Sequence, residues 1–225
     1  NPPVGCAIVS ADGRLLASGH TAAGGRPHAE TEALEMAGEA AQGATAYVTL
    51  EPCSHTGQTG PCSDALVAAG IARVVIAMRD PDPRVNGRGI EALAEKGVAL
   101  QIGVEAEAAR RVMAGFLMRT SKARPLVTLK TATSLDGMIA LEDGAKRWIT
   151  GPLMRRAVHL LRSRSEGLLS AVGTVLADDP QFTCRLDGLH RDSPHRFILD
   201  ASLRTPPSAR LFEAAGDVGL TFFCR

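Results

Sequence analysis

The feature that most constrains the fold of this chain is a regular alternation of short apolar segments with segments rich in helix-forming residues. The helical segment 29–41 precedes an alternating segment at 44–50, and the next helix begins near Pro61. A short, fully apolar strand then follows at 74–78. Because parallel strands are joined by crossover helices and are buried on both faces, this order predicts an α/β fold.

A polar segment that closes at Pro125 divides the chain into two predicted domains. We expect one domain over residues 1–121 and a second over 125–225. A new alternation opens the second domain, with a predicted strand at 126–132 and a helix at 152–164. Because about 100 residues are few for an α/β unit, we expect the second domain to be truncated in this chain.

The charge balance restricts the class of ligand. The chain has 25 Lys and Arg against 24 Asp and Glu, and its aromatic content is 4%. Such a chain offers neither a basic field nor stacking rings for nucleic acid, and it has no apolar run of membrane-spanning length. We therefore expect a small-molecule substrate, no nucleic-acid or membrane partner, a cytoplasmic setting and a homo-oligomer. Five cysteines are too few for a disulfide framework in a chain this long, which favours metal binding or thiol reactivity.

Three short motifs together match the requirements of a zinc deaminase. His28 and Glu30 form an H-x-E motif at a predicted helix start, Cys53 ends the next strand, and Cys62 opens the following helix. A zinc deaminase needs one imidazole, two thiolates, an open position for water and a carboxylate that does not bind the metal. His28, Cys53 and Cys62 are therefore the candidate ligands of one zinc ion, which would lower the pKa of bound water to about 7. Glu30 is the candidate catalytic residue, since a carboxylate there could carry a proton to the departing ammonia.

The same residues allow other interpretations. A closed structural zinc site could take His55 or Cys6 as its fourth ligand, although Glu30 would then have no role. A stand-alone nucleoside or tRNA deaminase with an α/β appendage would share the zinc site. A non-catalytic zinc-binding interaction module is a third possibility.

Motifs in both halves of the chain carry a resemblance to a known enzyme family. They lie at 1–6, 27–30, 43–53, 54–57 and 79–83, and then at 129–132, 134–137, 148–151 and 173–180. In this order they resemble the bifunctional deaminase-reductase family of riboflavin biosynthesis. The resemblance implies a cytidine-deaminase-like three-layer α/β/α domain followed by a dihydrofolate-reductase-like α/β domain.

The resemblance also implies a two-step activity. The first domain would use zinc to deaminate 2,5-diamino-6-ribosylamino-4(3H)-pyrimidinone 5′-phosphate by hydrolysis. The second would use NADPH to reduce the ribosyl side chain to ribityl. The implied residues of the deaminase pocket are Asn1, His20 and His55. The implied cofactor-binding residues are Ala132, Trp148, Thr174, Asp178 and Ala201, and the implied substrate-binding residues of the reductase are Arg162, Phe182 and Arg185.

Two lysines are further candidates for substrate binding. Lys130 lies on the predicted strand 126–132, where burying an ammonium is costly unless a polar or anionic group faces it. The alternative is a lysine at a strand end whose stem is buried and whose ammonium reaches solvent. Lys146 begins a stretch to Arg164 with six Lys or Arg and no acidic residue, which favours an anionic ligand.

Overall fold

The computed structural model describes residues 1–55, 60–141 and 148–225. It forms two compact units, Asn1–Leu129 and Lys130–Arg225. Lys146 lies outside the described residues, so its predicted role stays a prediction. Among the described helices, none is both long enough and apolar enough to cross a bilayer.

Unit 1 is built on a five-stranded sheet with the order β2-β1-β3-β4-β5. β1 is antiparallel to β2 and to β3, whereas β3, β4 and β5 are parallel to one another. The parallel pairing predicted from the alternation is therefore confirmed, and it is preceded by an antiparallel hairpin of β1 and β2. The strands are β1 (Gly5–Val9), β2 (Leu15–His20), β3 (Thr45–Val48), β4 (Arg73–Ile76) and β5 (Ala99–Ile102).

Helices connect these strands and cover their buried side chains. The segment that follows β5 forms two helices that meet at Met113, whose side chain is buried in a small cluster with Leu50 and Met78. The helices of unit 1 are α1 (Ala29–Ala37), α2 (Cys62–Ala68), α3 (Arg88–Glu95), α4 (Ala106–Val112) and α5 (Ala114–Lys122).

The start of α1 packs directly on β2 at Gly19. A Cβ at Gly19 would lie 2.5 Å from the carbonyl oxygen of Ala29 and 2.7 Å from the backbone nitrogen of Ala33. Ala29 and Ala33 are themselves fully buried. Since Cβ atoms do not approach backbone that closely, glycine is required for this contact, which fixes the helix turn that carries Glu30.

Unit 2 contains a three-stranded parallel sheet with the order β6-β7-β8. One face packs on a small apolar core of Val175, Phe182, Ile198, Ala209 and Leu211. The elements are α6 (Pro152–Ser163), β6 (Gly167–Ala171), α7 (Val172–Asp178), β7 (His195–Leu199) and β8 (Leu220–Phe223).

A buried arginine ties the irregular segments of unit 2 together. The Arg196 side chain is fully buried, and its guanidinium donates hydrogen bonds to four backbone carbonyls. The acceptors are Gln181 at 3.2 Å, Leu211 at 2.6 Å, Ala214 at 3.2 Å and Val218 at 2.6 Å. Backbone oxygens thus accept from a cation that would be costly to bury alone.

The prediction of a strand at 126–132 is wrong. This segment forms no strand, and the Val127 and Leu129 side chains are 82% and 86% exposed. A strand needs a neighbour to pair with its backbone, and within the described residues β6 pairs only with β7. Lys130 is also exposed, so the argument from the cost of burying its ammonium does not hold.

Candidate metal centre and its cavity

Three elements of unit 1 bring the candidate zinc ligands together. His28 is the residue before α1, Cys53 follows the end of β3, and Cys62 is the first residue of α2. Their ligand atoms all lie within 4.8 Å of one another. His28 Nδ1 is 3.2 Å from Cys62 Sγ and 3.7 Å from Cys53 Sγ, and the backbone N–H of Cys62 donates to Cys53 Sγ at 3.3 Å.

The two thiols influence each other's ionisation. A hydrogen bond from Cys62 lowers the pKa of the Cys53 thiol, assisted by the backbone N–H of Cys62 and by the charge of His28. The hydrogen bond to Cys53, burial and the charge of Glu30 raise the pKa of the Cys62 thiol. The pair therefore forms one thiolate readily and resists a second negative charge. A bound dication would remove that resistance, and one imidazole with two thiolates is a donor set suited to zinc.

Glu30 lies beside these ligands and is 4% exposed. Burial raises the pKa of its carboxyl group to about 6, and the carboxyl shares a hydrogen bond with Cys62. A carboxyl group whose pKa lies near neutrality can both accept and return a proton in a catalytic cycle. The arrangement thus places a proton carrier next to a three-ligand centre.

A cavity of about 60 Å³ opens onto this centre. His28, Glu30 and Cys53 line it from the metal side. That volume is large enough for an ion with a water molecule, because a single water needs only about 10–15 Å³ measured in the same way. The remaining polar or glycine wall residues are Asn1, Thr21, Gly25, Glu51 and Asp80.

Of the three residues that the resemblance places in the deaminase pocket, the structure brings one to the cavity. Asn1 lines the wall, and its side-chain amide donates to the carbonyl oxygen of Gly24 at 3.0 Å. His20 and His55 are not among the described residues that line the cavity. The His20 side chain is 79% exposed and lies 3.4 Å from Glu32, and His55 is exposed. Their predicted pocket roles stay predictions.

The closed-site alternative gains no ligand from the described residues. The metal-ligand group contains neither Cys6 nor His55. Cys6 is 4% exposed within the apolar core, where burial raises the pKa of its thiol. A buried neutral thiol of this kind is a core side chain rather than a ligand.

Sequence reasoning missed several wall residues of the cavity, in particular Glu51 and Asp80. Glu51 comes three residues after β3, and Asp80 comes four residues after β4. β3 and β4 are adjacent and parallel, so their carboxyl ends meet at one edge of the sheet. Polar residues that follow neighbouring parallel strands are the signal that could have identified them.

In unit 2, the structure brings together the three residues implied to bind the reductase substrate. Arg162 Nη1 donates to the carbonyl of Thr183 at 3.0 Å, and its guanidinium carbon lies 6.0 Å from the Phe182 ring centroid. Burial, and then the charge of Arg185, lower the pKa of the Arg162 guanidinium. The backbone N–H of Arg185 donates to His159 Nδ1 at 3.2 Å. Two guanidinium groups next to each other favour an anionic ligand.

The residues implied to bind the cofactor are more dispersed. Thr174 and Asp178 lie in α7 just after β6, and Ala201 follows β7. Since β6 and β7 are parallel, α7 and Ala201 lie at the same edge of the sheet. The Trp148 side chain is 79% exposed, with the Arg155 guanidinium 4.4 Å from its ring centroid, and Ala132 is half-buried in the segment without a strand. All five are accessible, as residues that hold a cofactor must be.

Comparison with known families matches both parts of the chain. Residues 1–78 match the cytidine and deoxycytidylate deaminase zinc-binding region. Residues 125–219 match the RibD C-terminal domain. The fold and the site therefore define a deaminase-type zinc-binding domain followed by a RibD C-terminal domain, which confirms the predicted fold class.

Individual relatives are similar over nearly all of this chain. The chain is 45% identical over 236 aligned residues to the riboflavin biosynthesis protein RibD of Escherichia coli, and the alignment covers 100% of this chain and 63% of the relative. It is 44% identical to RibD of Aquifex aeolicus, with 94% and 59% covered. The chain spans about three fifths of the length of these curated relatives.

Solved structures agree over the whole chain. The deaminase/reductase of Thermotoga maritima superimposes with a TM-score of 0.89 at 40% identity, covering 100% of this chain and 63% of that one. RibD of Acinetobacter baumannii gives a TM-score of 0.85 at 42% identity, covering 100% and 64%. The similarity thus extends through both units.

Proposed function

We propose that unit 1 catalyses the zinc-dependent hydrolytic deamination of 2,5-diamino-6-ribosylamino-4(3H)-pyrimidinone 5′-phosphate. The observation that carries this proposal is the three-ligand cluster of His28, Cys53 and Cys62 with the buried carboxyl group of Glu30 beside it. A centre with three protein ligands leaves a position for water or substrate, as catalytic zinc sites do. Similarity to RibD relatives supports the substrate class.

The chain's own residues have distinct roles in this proposal. His28, Cys53 and Cys62 would hold the ion, and zinc, when bound, lowers the pKa of a water molecule so that it becomes a nucleophile at neutral pH. Glu30 would accept the proton of that water and deliver it to the amine that leaves as ammonia. The buried position of Glu30 keeps its carboxyl away from competing bulk water. Asn1 would bind the pyrimidine from the cavity wall, a role also proposed for His20 and His55.

For unit 2 we propose NADPH-dependent reduction of the ribosyl group of the deaminated product to a ribityl chain. NADPH, when bound, supplies the hydride. Arg162 and Arg185 would bind the anionic substrate with Phe182 packed beside them, a role also proposed for Lys130 and Lys146. The cofactor would be held by Ala132, Trp148, Thr174, Asp178 and Ala201. The boundaries 1–121 and 125–225, a homo-oligomeric state and a cytoplasmic setting belong to the same proposal.

The deaminase proposal is tested by Glu30→Gln. This amide keeps the shape of the side chain and cannot carry the proton, so ammonia release from the diaminopyrimidine substrate should fall at least about 100-fold. Bound zinc, measured by metal analysis, should stay at the wild-type level. Glu35→Gln is the matched control, because Glu35 lies on the same helix with its side chain exposed.

The outcomes separate the competing interpretations. Full ammonia release by the zinc-loaded Glu30→Gln variant would refute the proposed proton transfer. Release from cytidine or tRNA, but not from the diaminopyrimidine, would favour a different deaminase. Zinc binding without release from any of these substrates would favour an interaction module. For unit 2, NADPH oxidation with the deaminated ribosylaminouracil phosphate supports the reductase proposal, and its absence in the full-length protein contradicts it.

A further inference from the structure

The carboxylate of Glu51 is buried and accepts hydrogen bonds from four backbone N–H groups. The residue is 4% exposed. Its Oε2 accepts from Asp80 at 3.2 Å and from Gly87 at 2.9 Å, and its Oε1 accepts from Gly89 at 3.0 Å and from Ile90 at 3.3 Å. All four donors lie in the segment 80–90, which we name the Asp80 loop. One side chain thus accepts hydrogen bonds from the backbone at both ends of this loop.

Glu51 caps the start of α3 from another part of the chain. The residue before α3 is Gly87, which has a φ of 96° and no side chain with which to cap the helix. The first N–H groups of a helix need acceptors, and a negative charge is favourable there. Glu51 supplies both, so the helix start depends on a residue more than thirty positions earlier in the sequence.

The contact between the Asp80 loop and the metal-bearing segment is also close at the backbone. A Cβ at Gly89 would lie 2.0 Å from the carbonyl oxygen of Pro52. Pro52 directly precedes the candidate ligand Cys53. Residues 51–53 therefore join the candidate zinc centre to the start of α3 with no space for an additional atom.

The Asp80 loop contributes Asp80 to the wall of the cavity. Asp80 is 8% exposed, and it lines the same cavity as Glu30, His28 and Cys53. Its Oδ1 accepts the backbone N–H of Asp82 at 2.8 Å, which orients the carboxylate within its own loop. The position of this wall relative to the metal ligands is then set by the bonds that Glu51 makes.

We infer that Glu51 is a positioning residue for the deaminase, which holds the Asp80 loop at a fixed distance from the candidate zinc centre and so sets how tightly the pyrimidine substrate is bound. This inference rests on the proposed deaminase function of unit 1. Glu51 also lines the cavity, but both of its carboxylate oxygens are engaged by backbone N–H groups, so it acts through the loop and does not exchange protons with the substrate. It should therefore affect KM more than kcat, whereas Glu30 should affect kcat.

The inference is tested by Glu51→Gln in the purified chain. The amide nitrogen of glutamine cannot accept hydrogen bonds, so two of the four N–H groups lose their acceptor. Because small displacements of a binding wall have large kinetic effects, KM for the diaminopyrimidine should rise at least about tenfold while kcat stays within about threefold. Zinc content should be unchanged, and amide hydrogen exchange at Gly87, Gly89 and Ile90 should accelerate.

Asp200→Asn is the matched control. Asp200 is also fully buried, and its carboxylate accepts backbone N–H groups of Arg204 at 2.9 Å and Thr205 at 2.8 Å, but in unit 2. Its KM for deamination should equal that of the wild type. A merely structural role for Glu51 would lower the melting temperature and the active fraction without raising KM in the protein that remains folded.

A second variant covers the case in which Glu51→Gln does not fold. Gly89→Ala keeps Glu51 and displaces the loop from Pro52, so it should raise KM in the same way. In the wild type, the deaminated product should slow amide exchange in the Asp80 loop, and unchanged exchange there would overturn the inference without any variant. The inference would also be overturned if the wild type is active and either variant, when folded, has the same KM as the wild type. Absence of ammonia release by the zinc-loaded wild type would instead contradict the proposed function.

Discussion

The two units differ in what their buried polar side chains contact. In unit 1, His28 Nδ1 lies 3.2 Å from Cys62 Sγ and 3.7 Å from Cys53 Sγ, and Glu30 is buried beside them. In unit 2, the fully buried Arg196 contacts four backbone carbonyls. The first set brings thiols, an imidazole and a carboxyl together, whereas the second distributes one charge over the backbone.

This difference distinguishes a candidate ligand-binding site from a buried charge that only stabilises the fold. The Nη1 and Nη2 groups of Arg196 are taken up by carbonyl oxygens, so they have little capacity left for a ligand and stabilise the segments that they join. A cluster of ligand atoms that face one another offers a metal ion several donors at once. Glu51 of unit 1 combines the two types, since its partners are backbone N–H groups and it also lines the cavity beside the candidate metal ligands.

The largest effect is expected from removal of a ligand in unit 1. Cys62→Ser replaces a thiolate with a hydroxyl, which is a poor zinc ligand, so bound zinc should fall to below about a tenth of the wild-type level. Ammonia release should fall below about 1%. Metal analysis and the ammonia assay measure both. Cys184→Ala is the control, because Cys184 is 1% exposed and lies in unit 2. Equal zinc loss in both variants would show that the cluster is not the metal site.

A smaller effect, on stability, is expected from Arg196→Met in unit 2. Four carbonyl oxygens would lose their donor in the interior, which should reduce the free energy of unfolding of unit 2 by about 3 kcal/mol or more. Arg196→Lys should recover only part of this, since an ammonium lacks the planar fork. Chemical denaturation measures the change, with the exposed Arg191→Met as control. A zinc content that falls together with the stability of unit 2 would break the distinction between the two units.

The smallest effect is expected at an exposed ion pair of unit 1. The hydrogen bond from Arg84 lowers the pKa of the Asp82 carboxyl to about 2. A folded-state pKa below the unfolded value of 3.8 gives a stabilisation that is present above about pH 4 and is lost as the pH falls through 2. Because the Arg84 side chain is exposed, solvent screens the pair and this stabilisation should be small.

Arg84→Gln tests that expectation. The Asp82 pKa, followed by NMR titration, should rise towards its ordinary value, while stability at pH 7 changes little. The exposed Arg111→Gln should leave the Asp82 pKa unchanged. A large loss of stability at neutral pH would mean that this surface pair contributes as much to the free energy of unfolding as buried groups do.

Much of unit 1 could be predicted because its signals are local. Apolar alternation fixes the strands, and helix-forming residues fix the helices between them. The cluster of candidate metal ligands could be predicted as well, since His28, Cys53 and Cys62 each lie near the boundary of a predicted element. The segment 126–132 has an equally apolar pattern and forms no strand. The apolar pattern of a segment indicates its preference for strand structure, but it does not show whether a neighbouring strand is present to pair with it.

The sequence by itself determined the α/β class, the three zinc-ligand candidates and the adjacent Glu30, because chemistry and period can be read from residue types and spacing. Only the tertiary structure decided which of the other residues reach the cavity. Asn1 lines it together with Glu51 and Asp80, and His20 points to solvent beside Glu32. These outcomes depend on contacts between residues far apart in the sequence, such as the Glu51 carboxylate at the start of α3, and no local pattern encodes such contacts.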